Sequence, residues 1–219
     1  MEIWLDTSNI HKIQKALHLG LLSGVTTNPT IIGQSKKSLE LVLADLLHYQ
    51  EGPIAVQVVA DKADDMVQQG QNLFSYSSRI IVKVPATQEG LEAIHLLSRQ
   101  GIPTMATVIF NSRQALMAAL VGADYVAPYL SHVEEAGEDP WTLLASMQRI
   151  FYNYRLKTKV LGASLKSIEQ VIKCAEIGIY GVTVKDELFE ELTQDHPMTL
   201  KRMQIFNTEW KLVETSLFD

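Results

Sequence analysis

Ile80-Ile81-Val82-Lys83-Val84-Pro85 is an apolar run of strand character that carries a single lysine. In a parallel sheet covered by helices, strands are buried on both faces and appear in sequence as continuous apolar runs rather than alternating ones. The stretch therefore indicates a doubly buried strand, and it favours a parallel sheet flanked by helices.

The rest of the chain repeats this pattern, with short apolar runs between longer stretches of helical periodicity. The predicted strands are residues 3–5, 24–26, 54–59, 80–84, 104–109, 125–127, 159–163 and 181–184. The predicted helices are residues 9–19, 37–49, 63–76, 89–99, 113–120, 140–154, 168–177 and 187–193, followed by a further helix over about 198–212. Such alternation predicts a parallel sheet.

Eight strand–helix units, spaced at roughly 25 residues, predict a closed (β/α)8 barrel, a fold that usually takes about 250 residues. The rival fold is an open doubly wound sheet, which a glycine-rich turn after the first strand would favour. Asp6-Thr7-Ser8-Asn9 contains no glycine. We therefore expect an α/β chain whose residues 1–219 form a single (β/α)8 TIM barrel domain with an additional C-terminal helix.

The C-terminal segment, residues 197–219, lies beyond the completed barrel. It carries the large apolar side chains of Phe206, Trp210, Leu212 and Phe218. They pack either against the chain's own outer helices or against a neighbouring subunit.

The composition excludes several classes of function. Of 219 residues, 47% are hydrophobic and 20% charged, as in ordinary globular proteins. The net charge of −6 provides no basic field for nucleic acid. Cys174 is the single cysteine, so no intrachain disulfide can form. We find no apolar run of about 18 residues and no signal peptide pattern, and we expect a cytoplasmic protein that does not bind membranes.

Lys83 suggests the chemistry. Burying an ammonium is unfavourable unless it is paired or loses its proton. A neutral lysine amine is a nucleophile towards carbonyl carbon, so this position predicts a Schiff base. The alternative is a lysine at a strand end that pairs with a carboxylate or reaches water.

Polar side chains fall at the same end of every predicted strand, and in such a barrel the active site lies at the C-terminal ends of the strands. They are Asp6, Thr26, Asn28, Gln57, Lys83, Thr107, Tyr129, Ser164, Lys166 and Lys185. We therefore predict an active site there.

Schiff-base chemistry also needs a group that moves protons, and Asp6 and Tyr129 are the candidates. Asp6 has an alternative role as a helix N-cap, and Tyr129 as a core aromatic with a satisfied hydroxyl. Gln57 and Thr107 are suited to positioning a water. The alternative is that their side chains only form hydrogen bonds with polar groups inside the barrel. Asn28, which precedes Pro29, is a substrate-binding candidate or a turn residue.

Ser164 and Lys166 follow the seventh strand, where barrels often bind phosphate. The alternative for them is an exposed loop. Lys166 and Lys185 are rival nucleophiles, but each follows its strand and should be more hydrated than Lys83. The six histidines show no metal-binding spacing. We expect neither a metal nor a cofactor, and we expect Cys174 to be a small apolar residue of a helix.

Several motifs together resemble the transaldolase family, in particular its small members, which include fructose-6-phosphate aldolase. The motifs are Leu5-Asp6-Thr7-Ser8, Gly24-Val25-Thr26-Thr27-Asn28-Pro29, Val82-Lys83-Val84-Pro85, Gly122-Ala123-Asp124-Tyr125-Val126-Ala127-Pro128-Tyr129 and Gly162-Ala163-Ser164-Leu165-Lys166. The resemblance implies a metal-free class I barrel with Lys83 as the Schiff-base lysine and Asp6 as the acid/base. It also implies a homo-oligomer, a pentamer or decamer, whose C-terminal helix reaches a neighbour.

The resemblance also bears on the reaction. Transaldolases place a glutamate on strand 3 and often a phenylalanine after the proline of strand 6, whereas this chain has Gln57 and Tyr129. Both resemble the fructose-6-phosphate aldolase branch and favour reversible cleavage of fructose 6-phosphate to dihydroxyacetone and glyceraldehyde 3-phosphate. The alternatives are transfer of a dihydroxyacetone unit between sugar phosphates, and a barrel that binds sugar phosphates without catalysis.

One position departs from the family pattern. The family usually has a phosphate-binding arginine three residues beyond Tyr129, and this chain has His132. Arginine is a permanent bidentate clamp, whereas histidine is mostly neutral above about pH 6.5. Either the substrate phosphate is held more weakly, with Lys185 supplying charge, or the acceptor is not phosphorylated.

Overall fold

The computed structural model describes residues 1–213 and shows a closed barrel of eight parallel strands in the order β1-β2-β3-β4-β5-β6-β7-β8. The strands are β1 Glu2–Asp6, β2 Leu22–Thr26, β3 Ile54–Gln57, β4 Ile80–Pro85, β5 Thr104–Ile109, β6 Tyr125–Pro128, β7 Lys159–Gly162 and β8 Gly181–Val184. The predicted (β/α)8 barrel is confirmed.

Helices alternate with the strands and surround the barrel. They are α1 Ile10–His18, α2 Pro29–Ser35, α3 Leu39–Tyr49, α4 Ala63–Tyr76, α5 Gln88–Arg99, α6 Ser112–Leu120, α7 Leu130–Glu135, α8 Pro140–Asn153, α9 Ile168–Ile177, α10 Asp186–Leu192 and α11 Pro197–Trp210. None of the helices within residues 1–213 combines the length and the apolarity that a membrane span requires.

Most predicted elements are found within a few residues of their predicted bounds, but two helices were not predicted. The helix α2 begins at Pro29, and the Asn28 side chain accepts a hydrogen bond from Ile31 N at its start. The helix α7 is a six-residue element without a side-chain cap. The third strand also ends two residues earlier than predicted, because Val59 N bonds to the Gln69 side chain instead of the sheet.

Alternate residues of strand β4 belong to two different hydrophobic cores. Ile80, Val82 and Val84 belong to the core between the sheet and the helices, whereas Ile81 belongs to the core inside the barrel. That inner core is formed by Trp4, Ala55, Ile81, Met105, Ala127, Leu161 and Ala163. Because side chains alternate along a strand, Lys83 lies on the inner face, one layer above Ile81.

Gly90 holds helix α5 close to the end of this strand. A Cβ at position 90 would lie 1.9 Å from the carbonyl oxygen of Pro85. Any larger residue would force the helix away from the strand, so glycine is required for this close approach.

Helix α11 is not covered by the barrel. None of its residues is buried, and its apolar side chains include Met203 and Phe206, which are about half exposed. Contact with the chain's own outer helices buries none of the residues of α11. Packing on a neighbouring subunit stays a prediction, and Phe218 lies outside the described residues.

Candidate active site

Lys83 extends into a cavity at the C-terminal end of the barrel. Its side chain is almost fully buried, with 4% of the residue exposed, and Nζ donates a hydrogen bond of 2.8 Å to the carbonyl oxygen of Thr27. The cavity has a volume of about 170 Å³. It is lined by Asp6, Thr26, Asn28, Lys83, Met105, Ala127, Tyr129, His132, Ala163, Ser164, Thr183 and Lys185.

The surroundings of Lys83 favour its neutral form. Burial lowers the pKa of this lysine, and the nearby charge of Asp6 opposes that shift in part. None of the ion pairs within residues 1–213 includes Lys83. The alternative of a lysine paired with a carboxylate or extended into water is therefore wrong. Burial therefore favours the neutral amine, which is the form that attacks carbonyl carbon.

The two rival lysines are hydrated, as expected. Lys166 is exposed and forms an ion pair with Glu135. Lys185 is exposed at the start of α10. Cys174 is no competitor either, because it is buried in α9 and burial raises the pKa of its thiol to about 12.

Asp6 ends strand β1 and lines the same cavity as Lys83. Its Oδ1 accepts a hydrogen bond of 2.7 Å from Thr26 Oγ1. The N-cap of α1 is Asn9, whose side chain accepts from His11 N, so the alternative role of Asp6 as a helix cap is wrong. This leaves the carboxylate available to the cavity.

Thr183 on β8 was not predicted. Its Oγ1 lies 2.6 Å from Thr26 Oγ1, so the two threonines and Asp6 form one hydrogen-bonded row. A sequence signal for it exists, because Thr183 lies between Val182 and Val184, and both valines belong to the outer core. Alternation along the strand then directs Thr183 to the interior.

Gln57 lies beside Lys83, since the two residues are Cα partners of β3 and β4. Its Oε1 is buried and accepts no hydrogen bond from the described residues. Full internal satisfaction of this side chain is therefore wrong. The residue lines a neighbouring cavity of about 810 Å³ that Asp6 and Tyr129 also line. A buried acceptor beside an open polar space is a place where a water can bind.

Tyr129 lies at the cavity wall, and its hydroxyl accepts a hydrogen bond of 3.3 Å from Thr107 Oγ1. Burial raises the pKa of this phenol. Its proton is therefore retained at all ordinary pH values. Thr107 is fully buried and directs its hydroxyl to Tyr129. Tyr129 is half-buried, so it is not simply a core aromatic.

Ser164 and His132 lie at the outer side of the site. Ser164 Oγ and His132 Nδ1 are 2.9 Å apart. Together with Lys166 and Lys185 they line a third cavity of about 340 Å³, which also reaches Asp6. Lys185 lines all three cavities. It takes part in none of the ion pairs found within residues 1–213.

Asn28 both caps a helix and lines the cavity. Its Oδ1 caps helix α2 by accepting from Ile31 N at 3.0 Å. The residue also lines the cavity of Lys83. A cap of this kind uses only the amide oxygen, so its amide NH2 is available to a ligand.

Comparison with protein families gives one match that spans almost the whole chain. Residues 3–218 match the family model described as transaldolase/fructose-6-phosphate aldolase. The chain belongs to this family. It is therefore an enzyme of the transaldolase and aldolase class, and the alternative of a barrel without catalysis is wrong.

Similar members of the family come from bacteria and archaea. A probable transaldolase of Coprothermobacter proteolyticus is 38% identical over 97% of this chain and 98% of the relative. A probable transaldolase 2 of Listeria monocytogenes is 36% identical over 96% of both chains. A probable transaldolase of Thermoplasma volcanium is 39% identical over 97% of this chain and 96% of the relative.

Solved structures show the fold alone. A flavocytochrome b2 variant with sulfite bound superimposes with a TM-score of 0.60 at 12% identity, over 84% of this chain. The match covers 56% of that protein, so the chain spans little more than half of its length. A mandelate oxidase variant gives a TM-score of 0.58 at 14% identity, over 84% of this chain and 63% of that protein.

Within residues 1–213 there is no cluster of three or more His, Cys, Asp or Glu side chains arranged to hold a metal ion.

Proposed function

We propose that Lys83 forms a Schiff base with a ketose phosphate, and that the enzyme transfers a dihydroxyacetone unit from fructose 6-phosphate to a second sugar phosphate. One observation carries the proposal: the Lys83 amine is buried in a cavity without a carboxylate partner and lies beside Asp6. The names of the relatives, which are probable transaldolases, favour transfer over the cleavage expected from Gln57 and Tyr129.

The first half of the reaction breaks the sugar. The Lys83 amine attacks the ketone carbon, and Asp6 donates a proton to the hydroxyl that leaves as water. Asp6 then accepts the proton of the hydroxyl at C4, the bond between C3 and C4 breaks, and the electron pair moves into the iminium. The products are an aldehyde phosphate and a three-carbon enamine on Lys83.

The second half forms the new bond. The enamine carbon attacks the aldehyde carbon of the acceptor, and Asp6 returns its proton to the new alkoxide. Water then hydrolyses the iminium and frees Lys83. In this scheme Gln57 and Thr107 hold the water, Gln57 directly through its unpartnered oxygen and Thr107 through Tyr129.

The phosphate group is assigned to the outer cavity. Thr26 and Asn28 contact the three-carbon unit near Lys83, and Ser164, His132, Lys166 and Lys185 surround the phosphate. Lysine binds phosphate as a point charge. Lys185 is the better supported of the two lysines, because Lys166 is already neutralised by Glu135.

The decisive experiment traps the intermediate. The enzyme is incubated with fructose 6-phosphate, treated with borohydride and digested for mass spectrometry. We expect a three-carbon or six-carbon adduct on the Lys83 peptide, and no adduct in Lys83→Met. An adduct on Lys166 or Lys185 would reject the assignment, and an unmodified protein would reject the Schiff base.

Cleavage is the second candidate, and the Tyr129 hydroxyl favours it. A phenol that keeps its proton can protonate the enamine carbon, which ends the reaction with release of dihydroxyacetone. Release of free dihydroxyacetone from fructose 6-phosphate without an acceptor distinguishes cleavage from transfer. Assays with phosphorylated and unphosphorylated acceptors side by side then test whether His132 and Lys185 serve a phosphate.

The substitution Gln57→Glu also tests whether the enzyme favours transfer or cleavage. Transaldolases of this family place a glutamate on strand 3, so the substitution introduces at position 57 the residue associated with transfer. We expect the ratio of transfer to cleavage to rise by about tenfold. An unchanged ratio would reject the role of Gln57.

A further inference from the structure

A row of hydroxyl groups leads from strand β8 to the carboxylate of Asp6. Thr183 Oγ1 lies 2.6 Å from Thr26 Oγ1, which lies 2.7 Å from Asp6 Oδ1. Both threonines are buried, with 5% and 1% of their surface exposed. We propose that Thr183 is a positioning residue that acts through Thr26 to orient Asp6. The inference rests on the proposed role of Asp6 as proton carrier.

Counting protons fixes the direction of the row. Each hydroxyl has one proton to donate and can also accept. An ionised Asp6 only accepts, so Thr26 must donate its proton to Asp6. The short contact between the two threonines then requires Thr183 to be the donor and Thr26 the acceptor. Thr183 thus increases the polarity of the bond that Thr26 makes to the carboxylate.

The hydrogen bond from Thr26 gives the two carboxylate oxygens of Asp6 different roles. Oδ1 of Asp6 is bound by Thr26, whereas Oδ2 accepts no hydrogen bond from residues 1–213. Oδ2 is thus the oxygen available to substrate. A carboxylate anchored on one side has its free oxygen fixed in direction, and proton transfer depends strongly on such geometry.

Other charges also act on Asp6, so the effect of the Thr183 hydroxyl must be measured with those charges unchanged. The charged and titratable groups on the elements around it are Lys83 on β4, Tyr129 and His132 after β6, Lys166 after β7, and Lys185, Asp186 and Glu187 after β8. Thr183→Val changes none of these charges and keeps the shape of the side chain. The variant therefore isolates the hydroxyl.

Thr104 provides a matched control. It is a fully buried threonine of the barrel, on β5, and its Oγ1 has no hydrogen-bond partner in the described part of the chain. Thr104→Val makes the same chemical change away from Asp6. If burial of a methyl group alone were responsible for an effect, both substitutions would produce it.

The experiment measures kcat and KM for turnover of fructose 6-phosphate. For Thr183→Val we expect kcat to fall about tenfold, which is part of the roughly 100- to 10,000-fold that proton transfer by a side chain contributes. KM should stay within about twofold, since no substrate contact is lost.

Three further variants complete the test. Thr183→Ser restores the hydroxyl and should recover most of kcat. Thr183→Val combined with Thr26→Val should be no slower than Thr26→Val alone, because Thr183 acts through Thr26. Thr183→Ala is the substitute if the valine variant does not fold, and it should show the same fall in kcat with KM unchanged.

Several results would overturn the proposal: wild-type kinetics in Thr183→Val, an equal loss in Thr104→Val, failure of serine to rescue, or additive effects with Thr26→Val. Borohydride trapping separates this failure from failure of the proposed function. If the wild-type Lys83 peptide is trapped but Thr183→Val changes nothing, only the positioning role is wrong. If wild-type Lys83 is never trapped, the proposed function itself is wrong.

Discussion

A buried lysine without a carboxylate partner lowers the stability of the fold that carries it. Lys83 is such a residue, and burial lowers its pKa. Between that lowered pKa and the ordinary value of about 10.4, the unfolded chain binds a proton that the folded chain does not. The stability of the wild type therefore rises with pH through this window.

The first prediction follows from this rise of stability with pH. Lys83→Met removes the charge and keeps a similar shape, so the variant should be more stable than the wild type near neutral pH, by about 0.5–2 kcal/mol. The difference should shrink as the pH approaches about 10.4. Urea unfolding of both proteins at several pH values measures it. Lys36→Met, at an exposed lysine, should show no such trend, and a constant difference for Lys83→Met would contradict the argument.

The second prediction concerns Tyr129. Because burial raises the pKa of this phenol, it stays a proton donor above its ordinary value of about 10. Tyr129→Phe should lower the release of dihydroxyacetone without an acceptor by about 100-fold and leave transfer within about tenfold. Tyr152→Phe, at an exposed tyrosine, is the control. Equal losses of both reactions would mean that Tyr129 only shapes the cavity.

The residues of the site were predictable to the extent that their position along a strand decided their direction. Asp6 and Gln57 end their strands and Lys83 lies near the end of β4, so this rule predicted that all three line one end of the barrel. Thr183 was missed because a single threonine between valines carries a weak signal. The pairing of Ser164 with His132 joins two separate loops. No local pattern in the sequence predicts such a contact.

At the scale of elements, strand β5 contains a strained position. The pairing of β5 with β6 shifts register between Ala106 and Ile109, and Val108 within that interval has a φ of 59°. A β-branched residue is unfavourable in this left-handed region. The irregularity lies next to Thr107, whose hydroxyl contacts Tyr129, and such bulges often redirect side chains near active sites.

The third prediction tests this backbone strain at Val108. Val108→Gly and Val108→Ala both remove the branched part of the side chain, but only glycine adopts a positive φ freely. Val108→Gly should therefore be more stable than Val108→Ala by about 1–2 kcal/mol. At Val184 on β8, where φ is not positive, the order should reverse, with alanine better by about 0.5–1 kcal/mol. Thermal unfolding of the four variants measures both orders, and the same order at both sites would disprove the strain.

The elements were predictable where periodicity or composition was strong. All eight strands were found, because doubly buried strands are continuous apolar runs. The helix α2 was missed although Asn28-Pro29 is a recognisable start, since an asparagine before a proline also indicates a turn. The helix α7 has only six residues, which is too short for a helical period to appear.

At the scale of the whole molecule, the barrel leaves one apolar surface uncovered. None of the residues of α11 is buried. Met198, Met203 and Phe206 are each more than half exposed, and Leu212, just after the helix, is almost fully exposed. Exposed apolar side chains that cluster on one helix are typical of sites of association. We therefore expect α11 to pack on another copy of this chain, in the pentamer or decamer that the family resemblance implies.

The last prediction tests this association. Met203→Lys combined with Phe206→Lys places two charges on the exposed face of α11, and burying unpaired charges in an interface is strongly unfavourable. Sedimentation should show the wild type as an oligomer and the variant as a single chain. Tyr152→Lys, at another exposed aromatic, should leave the assembly intact.

Because Lys83, Asp6 and Tyr129 all come from one chain, the dissociated variant should still be trapped on Lys83 by borohydride. A wild type that sediments as one chain would contradict the expected association, whereas loss of trapping on dissociation would show that the neighbour completes the site.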